Sequence, residues 1–218
     1  MSISLKQVEF GYVRDRPLFE ALDLVVPDGA SVALMGPSGT GKSTVLALLG
    51  LLLTPTRGEV LLDDLPVPRA GPHHRRIVAE SISWVFQTVS LLPGRTVLDN
   101  VALGLLARGA RRAAIEQQCR AALDGVGLAD LADRKINTLS GGEIQRACVA
   151  RCLVTAPRVV LADEPTGQLD AANSMLVMDA MLGLRNGSTS VVIATHDPAV
   201  AARCDQQVKL TPMTYGRR

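Results

Sequence analysis

The chain has 218 residues, 47% hydrophobic and 20% charged, and its 23 Lys and Arg against 21 Asp and Glu leave a net charge of +2. That length suits one α/β domain with a buried core, and near-balanced charge without a basic block argues against nucleic acid as a partner. The longest apolar run, Val45 to Leu53, contains Gly50 and stops at Thr54-Pro55, short of the ~20 residues a membrane-spanning helix needs, and the stretch MSISLKQVEFGYVRDRP lacks the apolar centre of a secretion signal; the expectation is a cytoplasmic chain that meets a membrane only through a partner.

Taken in chain order, SISLKQVEFGY and LDLVV alternate apolar and polar residues, which predicts antiparallel strands with one solvated face. SVALM opens a different pattern, repeated later in VVLAD and SVVIAT: short, nearly all-apolar runs rich in β-branched residues. Such runs suit strands buried on both faces of a parallel sheet, and the helical stretches between them make the core a βαβ type.

Between SVALM and the apolar helix STVLALLG lies GPSGTGKST. Gly, four residues, Gly-Lys-Ser between a buried strand and a helix is the phosphate-loop pattern. Gly36, Gly39 and Gly41 let the backbone approach an anion and aim N–H groups at it, and the helix that follows presents its positive end. The expected nucleotide-binding set is Gly36, Pro37, Ser38, Gly39, Thr40, Gly41, Lys42, Ser43 and Thr44, with Lys42 on the β- and γ-phosphates and Ser43 on Mg²⁺. Further on, His73 and His74 in PVPRAGPHHRR read as solvated residues of a polar loop, not as metal ligands.

From about Val97 to Ala156 the composition turns to Ala, Leu, Arg and Gln with almost no strand signal, and ARRAAIEQQCRAALDGVG predicts an amphipathic helix ended by Gly125. This reads as a helical subdomain inserted in the α/β core: one domain, 1–218, with 1–88 and 157–218 as core and about 89–156 as the insertion. Its beginning, TVSLLPGRTVLDNV, is apolar where it follows an exposed loop, which predicts a partner surface. LSGGEIQR then carries Ser140 and Glu143 at capping-box spacing. Its glycines, Gly141 and Gly142, weaken a first helical turn by about 1 kcal/mol each, so they point to a backbone that must lie against a ligand. Cys148 and Cys152 share a helix face and read as small buried apolar residues; half a zinc site is the alternative, without a second ligand pair at metal spacing.

VVLADEP ends a buried strand in two carboxylates that need not share a job: Asp163 is placed to hold Mg²⁺ and Glu164 to orient or deprotonate water. A strand ending in solvated acids is the plain alternative. Asp170 suits an N-cap for AANSMLVMDAM, and Asp197-Pro198 a second helix start.

With LSGGE, the sequence resembles the ABC (ATP-binding cassette) ATPase family over nearly its whole length. The resemblance implies a phosphate-loop ATPase core with a mainly parallel sheet, an N-terminal antiparallel β subdomain and an inserted α-helical subdomain. It implies ATP and Mg²⁺ as ligands and a composite site, in which Ser140, Gly141 and Gly142 of one subunit cover the γ-phosphate of ATP held by its partner. It further implies that Tyr12 stacks on adenine, that Gln87 senses Mg²⁺ and water, that Glu143, Leu169 and Asp170 lie at the dimer interface, and that His196 contacts the γ-phosphate beside Glu164 and Lys42. Each of these has a plainer reading, Tyr12 as a strand aromatic and His196 as a strand-end residue, but all occur in family order. Expected partners are a second copy or a paralogous ATPase, head to tail, and an integral membrane permease subunit docked on the helical subdomain and on the segment around Gln87.

FQTVSLLPGRTVLDNV and DEPTGQLD resemble the branch that serves lipoprotein release, macrolide and peptide efflux, and cell division. Export or mechanotransmission is expected, with an ATPase of a membrane-bound regulator that transports nothing as the alternative. A ribosome- or DNA-acting relative would carry two cassettes or a long insertion, and a simple phosphate-loop kinase leaves LSGGE and His196 unexplained.

Overall fold

The computed structural model describes residues 2–13, 16–88, 91–106, 112–184 and 189–211. Two sheets carry the fold. The first is antiparallel, with β1 (Ile3–Phe10) between β2 (Phe19–Val26) and β4 (Arg57–Leu62), and β5 (Leu65–Pro66) at its edge. The second is wholly parallel, in the order β6 (Ile82–Val85), β7 (Val159–Asp163), β8 (Ser190–Thr195), β3 (Ser31–Met35), β9 (Gln206–Lys209). The runs SVALM, VVLAD and SVVIAT are strands with the bounds their composition suggests.

Alternation on those strands builds two cores. Val159 and Leu161 of β7 and Val192 and Ala194 of β8 join one apolar cluster, with β1, β2 and helix α1 (Lys42–Leu49). Val160, Ala162, Val191 and Ile193 point to the other face and join a second cluster. That cluster takes in α3 (Val97–Leu106), α4 (Arg112–Gly125), α5 (Gly141–Leu153) and α6 (Ala171–Leu182). Helix α1 is apolar all round because it lies between the two sheets.

One reading is corrected, one element is new and one segment divides between core and surface. PVPRAGPHHRR is not all loop: α2 (Pro72–Ser81) starts there, with Pro72 in the first turn, and His74 Nδ1 bonds the Pro68 carbonyl at 2.8 Å. The β4–β5 hairpin, turned by Asp63 and Asp64 at φ 50° and 61°, had no counterpart in the sequence reading. TVSLLPGRTVLDNV divides: Val97 and Val101 are fully buried and Leu91 and Leu98 pack on the second cluster, while Leu92, Pro93, Gly94 and Arg95 are exposed. Val89 and Ser90 of the same segment, and Ala110 and Arg111 ahead of α4, lie outside the described residues. Cys119, Cys148 and Cys152 are buried, and burial pushes the Cys152 thiol up to about 12, so it stays protonated as a small apolar group.

Candidate active site

Strand order positions the site. β7, β8 and β3 are neighbours in the parallel sheet, at about 4.8 Å per strand, so whatever follows their carboxyl ends shares one crevice. The glycine loop follows β3, Glu164 follows β7 and His196 follows β8.

In the loop, Gly39 and Gly41 adopt φ of 82° and 92°, the left-handed region that costs other residues energy. A Cβ on Gly41 would also stand 2.5 Å from the Phe19 ring. Gly41 caps α1 without a side chain, which leaves the first-turn N–H groups to a ligand. Lys42 is buried, its Nζ donating to the carbonyls of Gly36 at 2.8 Å and Pro37 at 3.3 Å. Thr40 is buried and donates to the Pro37 carbonyl, while Pro37, Ser38, Gly39 and Ser43 are exposed. Tyr12 lies beside the start of α1, its hydroxyl 3.1 Å from Thr44 Oγ1 and its ring edge-on to Phe10, yet 69% of it is exposed.

Glu164 is the meeting point. Its Oε1 accepts from His196 Nδ1 at 2.9 Å and lies 3.8 Å from Lys42 Nζ. Its backbone has φ 45°, a strained value for a side chain of this kind and a common mark of functional positions; its N–H donates to the Ala194 carbonyl of β8 at 2.9 Å. Asp163 closes β7 one residue earlier. Gln87 reaches the same neighbourhood: its Nε2 and the Glu164 Cβ each lie 3.6 Å from where a Cβ on Gly167 would stand.

The Ser140 segment is built separately. Ser140 caps α5 in a full capping box, its N–H and Oγ–H donating to Glu143 Oε2 at 2.7 and 2.8 Å. These bonds, the backbone one first, hold the Glu143 carboxyl below its ordinary range. Asp170 caps α6 by accepting from Asn173 N–H at 2.9 Å and Nδ2 at 2.7 Å, which lowers its own pKa. The atoms nearest Gly141 and Gly142 belong to Leu169 and Asn173. Gly142 also has a reason within its own chain to lack a side chain, because Asn173 occupies the space. Gly141 does not, since a Cβ there meets Leu169 Cδ2 at an ordinary 3.5 Å.

Two residues were not singled out from the sequence. Asn173 is one. Gln145 is the other: buried on α5, it donates to the Phe86 carbonyl at 3.3 Å and ties this helix to the residue before Gln87. Phe86 stacks on Trp84 at 5.1 Å, beside a groove of about 340 Å³ whose lining includes Ser83, Trp84, Gly104, Arg151, Cys152 and Thr155.

The family model described as ABC transporter matches residues 19–167. The lipoprotein-releasing system ATP-binding protein LolD of Bordetella pertussis (strain Tohama I) is 44% identical over 193 residues, covering 87% of this chain and 83% of that protein. An uncharacterized ABC transporter ATP-binding protein, YvrO of Bacillus subtilis (strain 168), is 39% identical over 193 residues, covering 88% and 84%. Among solved structures, the dimeric ATP-binding cassette MJ0796 in a post-hydrolysis state, bound to ADP and Pi, superposes with a TM-score of 0.83 at 34% identity, covering 95% of this chain and 94% of that one.

Proposed function

The chain belongs to the ABC transporter family as an ATP-binding, ATP-hydrolysing subunit, and we propose that it works as half of a head-to-tail dimer with two ATP molecules between the halves. The convergence of Lys42, Glu164 and His196 behind three adjacent strands carries this reading. Gly36 to Thr44 cradle the phosphates, and Tyr12, exposed beside Thr44, offers its ring to adenine. Lys42 neutralises the β- and γ-phosphates. Glu164 orients water in line with the γ-phosphorus and accepts its proton as the bond to the bridging oxygen breaks. With His196 Nδ1 2.9 Å from Glu164 Oε1, Nε2 is the ring nitrogen left to face the γ-phosphate.

Ser43, Asp163 and Gln87 would hold Mg²⁺: a hydroxyl, a carboxylate and an amide oxygen are the hard donors that ion takes. When bound, Mg²⁺ neutralises charge on the β- and γ-phosphates. Ser140, Gly141 and Gly142 of one copy cover the γ-phosphate at the other's loop, and Glu143, Leu169 and Asp170 line the interface. The chain is one domain, with the helical insertion of about 89–156 sharing the second apolar cluster with the sheet.

An integral membrane permease subunit docks at the groove beside Trp84, between the α/β core and the helical insertion, and holds the chain at the cytoplasmic face. The resemblance to LolD supports a branch that drives export or mechanical transmission. Glu164→Gln tests the dimer. It leaves Lys42, Ser43 and Asp163 in place but removes the proton acceptor and a negative charge beside the γ-phosphate. With ATP and Mg²⁺ its mass by light scattering doubles, and with ADP it falls back. A monomer at high protein concentration, or equal dimerisation when Ser140→Arg is added, overturns the composite site.

A further inference from the structure

The second glycine of LSGGE is filled from within the chain. A Cβ on Gly142 would stand 2.5 Å from Asn173 Oδ1, 2.8 Å from its Cγ and 3.0 Å from its Cβ. The Asn173 side chain does not drift: its Nδ2 donates to Asp170 Oδ2 at 2.7 Å, and its own N–H donates to Asp170 Oδ1 at 2.9 Å. One amide thus joins the starts of two helices, α5 with its cap at Ser140 and α6 with its cap at Asp170. The connection runs on to the backbone of the catalytic Glu164. Leu169 N–H donates to the Thr166 carbonyl at 3.0 Å, and Gly167 N–H donates to the Glu164 carbonyl at 3.1 Å. Gly142, Asn173, Asp170, Leu169, Thr166, Gly167 and Glu164 are therefore linked in turn, through side-chain contact, hydrogen bonds and the main chain.

We propose that Asn173 is a positioning residue that seats the Ser140–Gly142 segment against the Leu169–Asp170 turn, so that closure of this segment on a partner's ATP is felt at the chain's own Glu164. The inference rests on the composite-site reading. Glycine at 142 and asparagine at 173 are one fitted pair: the amide needs the empty space, and the segment needs the amide to hold its distance from α6. Asn173 touches no nucleotide, so removing it should leave the affinity of the phosphate loop alone and act on turnover. The Gly142–Asn173 contact passes displacement on because the side-chain amide fills the space against Gly142 and Asn173 is held by two bonds to Asp170.

The test is suppression. Gly142→Ala is made in the parent and in an Asn173→Ala background, and ATPase kcat, ATP affinity and thermal unfolding are measured for all four proteins. Truncating Asn173 removes the atoms at 2.5 and 2.8 Å and leaves a Cβ contact at 3.0 Å, which a shift of a few tenths of an ångström relieves. Expected is a loss in kcat of about tenfold or more for Gly142→Ala in the parent and of threefold or less in the Asn173→Ala background, with the ATP affinity of Asn173→Ala itself unchanged and all four proteins folded. Asn173→Asp, which cannot donate to Asp170 and sets two carboxylates together, should lower kcat as Asn173→Ala does, while Asn173→Ser, small and still able to donate, should recover part of it. A Gly142→Ala protein that turns over at the parent rate, or one equally impaired in both backgrounds, overturns the proposal. The Glu164→Gln mass measurement separates this from the premise: an ATP-trapped dimer without suppression sinks Asn173 alone, whereas suppression without such a dimer sinks the composite site.

Discussion

At the scale of single residues, Lys42 and Tyr12 answer to different physics. Lys42 is a buried cation held by two carbonyls and facing Glu164. Its charge is presented where phosphate charge develops, so Lys42→Ala should cost about a hundredfold or more in hydrolysis and weaken ATP binding as well. Tyr12 contributes an exposed ring, worth roughly 1–3 kcal/mol by stacking. Tyr12→Ala should therefore raise the ATP Kd by about 5- to 150-fold, less than Lys42→Ala does, and GTP should compete in the parent because stacking ignores base identity. Nucleotide titration of both variants checks the order; an unchanged Kd on loss of the ring removes Tyr12 from the site. Sequence showed these residues because each belongs to a short contiguous motif. It could not show Asn173 against Gly142, or Gln145 on Phe86: such contacts depend on where two helices pack, which no local pattern encodes.

Among the elements, α5 depends most on its first turn. Two adjacent glycines disfavour it, and the Ser140–Glu143 box compensates. Glu143→Gln should lower stability by about 0.5–1 kcal/mol at neutral pH, the low end because the pair is solvent-accessible. The pH dependence has a definite sign. The Glu143 carboxyl is held below its ordinary 4.5 by Ser140, and Asp170 is lowered in the same sense by Asn173. A depressed folded pKa stabilises above the unfolded value and loses that contribution as pH falls through the folded one. The gap in melting temperature between parent and Glu143→Gln should thus be constant above about pH 5.5 and shrink as pH drops below 4.5; a gap that widens in acid contradicts the box. Elements with strong patterns were legible: the three buried strands, the first hairpin, and α4 up to its glycine. α2 was not, because PHHRR offers no apolar stripe and Pro72 at its start marks a turn as readily as a helix. The apolar stretch near Leu92 is split between core and surface, a division that composition does not draw: it says that residues prefer burial, not which of them find it.

For the whole molecule, the groove beside Trp84 is the docking place proposed for the membrane subunit. It lies at the seam of core and insertion, and Phe86, Leu92 and Leu106 are exposed apolar residues of the segments near it. In a Cys204→Ser background, Leu92→Cys and Leu106→Cys should cross-link to a co-extracted membrane subunit, and Val25→Cys on the antiparallel sheet should not. The reverse pattern would move the docking face to the β subdomain. Sheet order carries a further consequence, for synthesis. The strand that feeds the phosphate loop, β3, pairs with β8 on one side and β9 on the other, the last two strands among the described residues. Parallel partners so distant in sequence meet late. A growing chain thus carries its phosphate-loop motif from early on, but the sheet that fixes the loop closes only when residues near 190–209 emerge. Until then Val32 and Leu34 lack their neighbours, and the unpaired edges of β3 invite aggregation. Nucleotide capture therefore waits for β9 to be made.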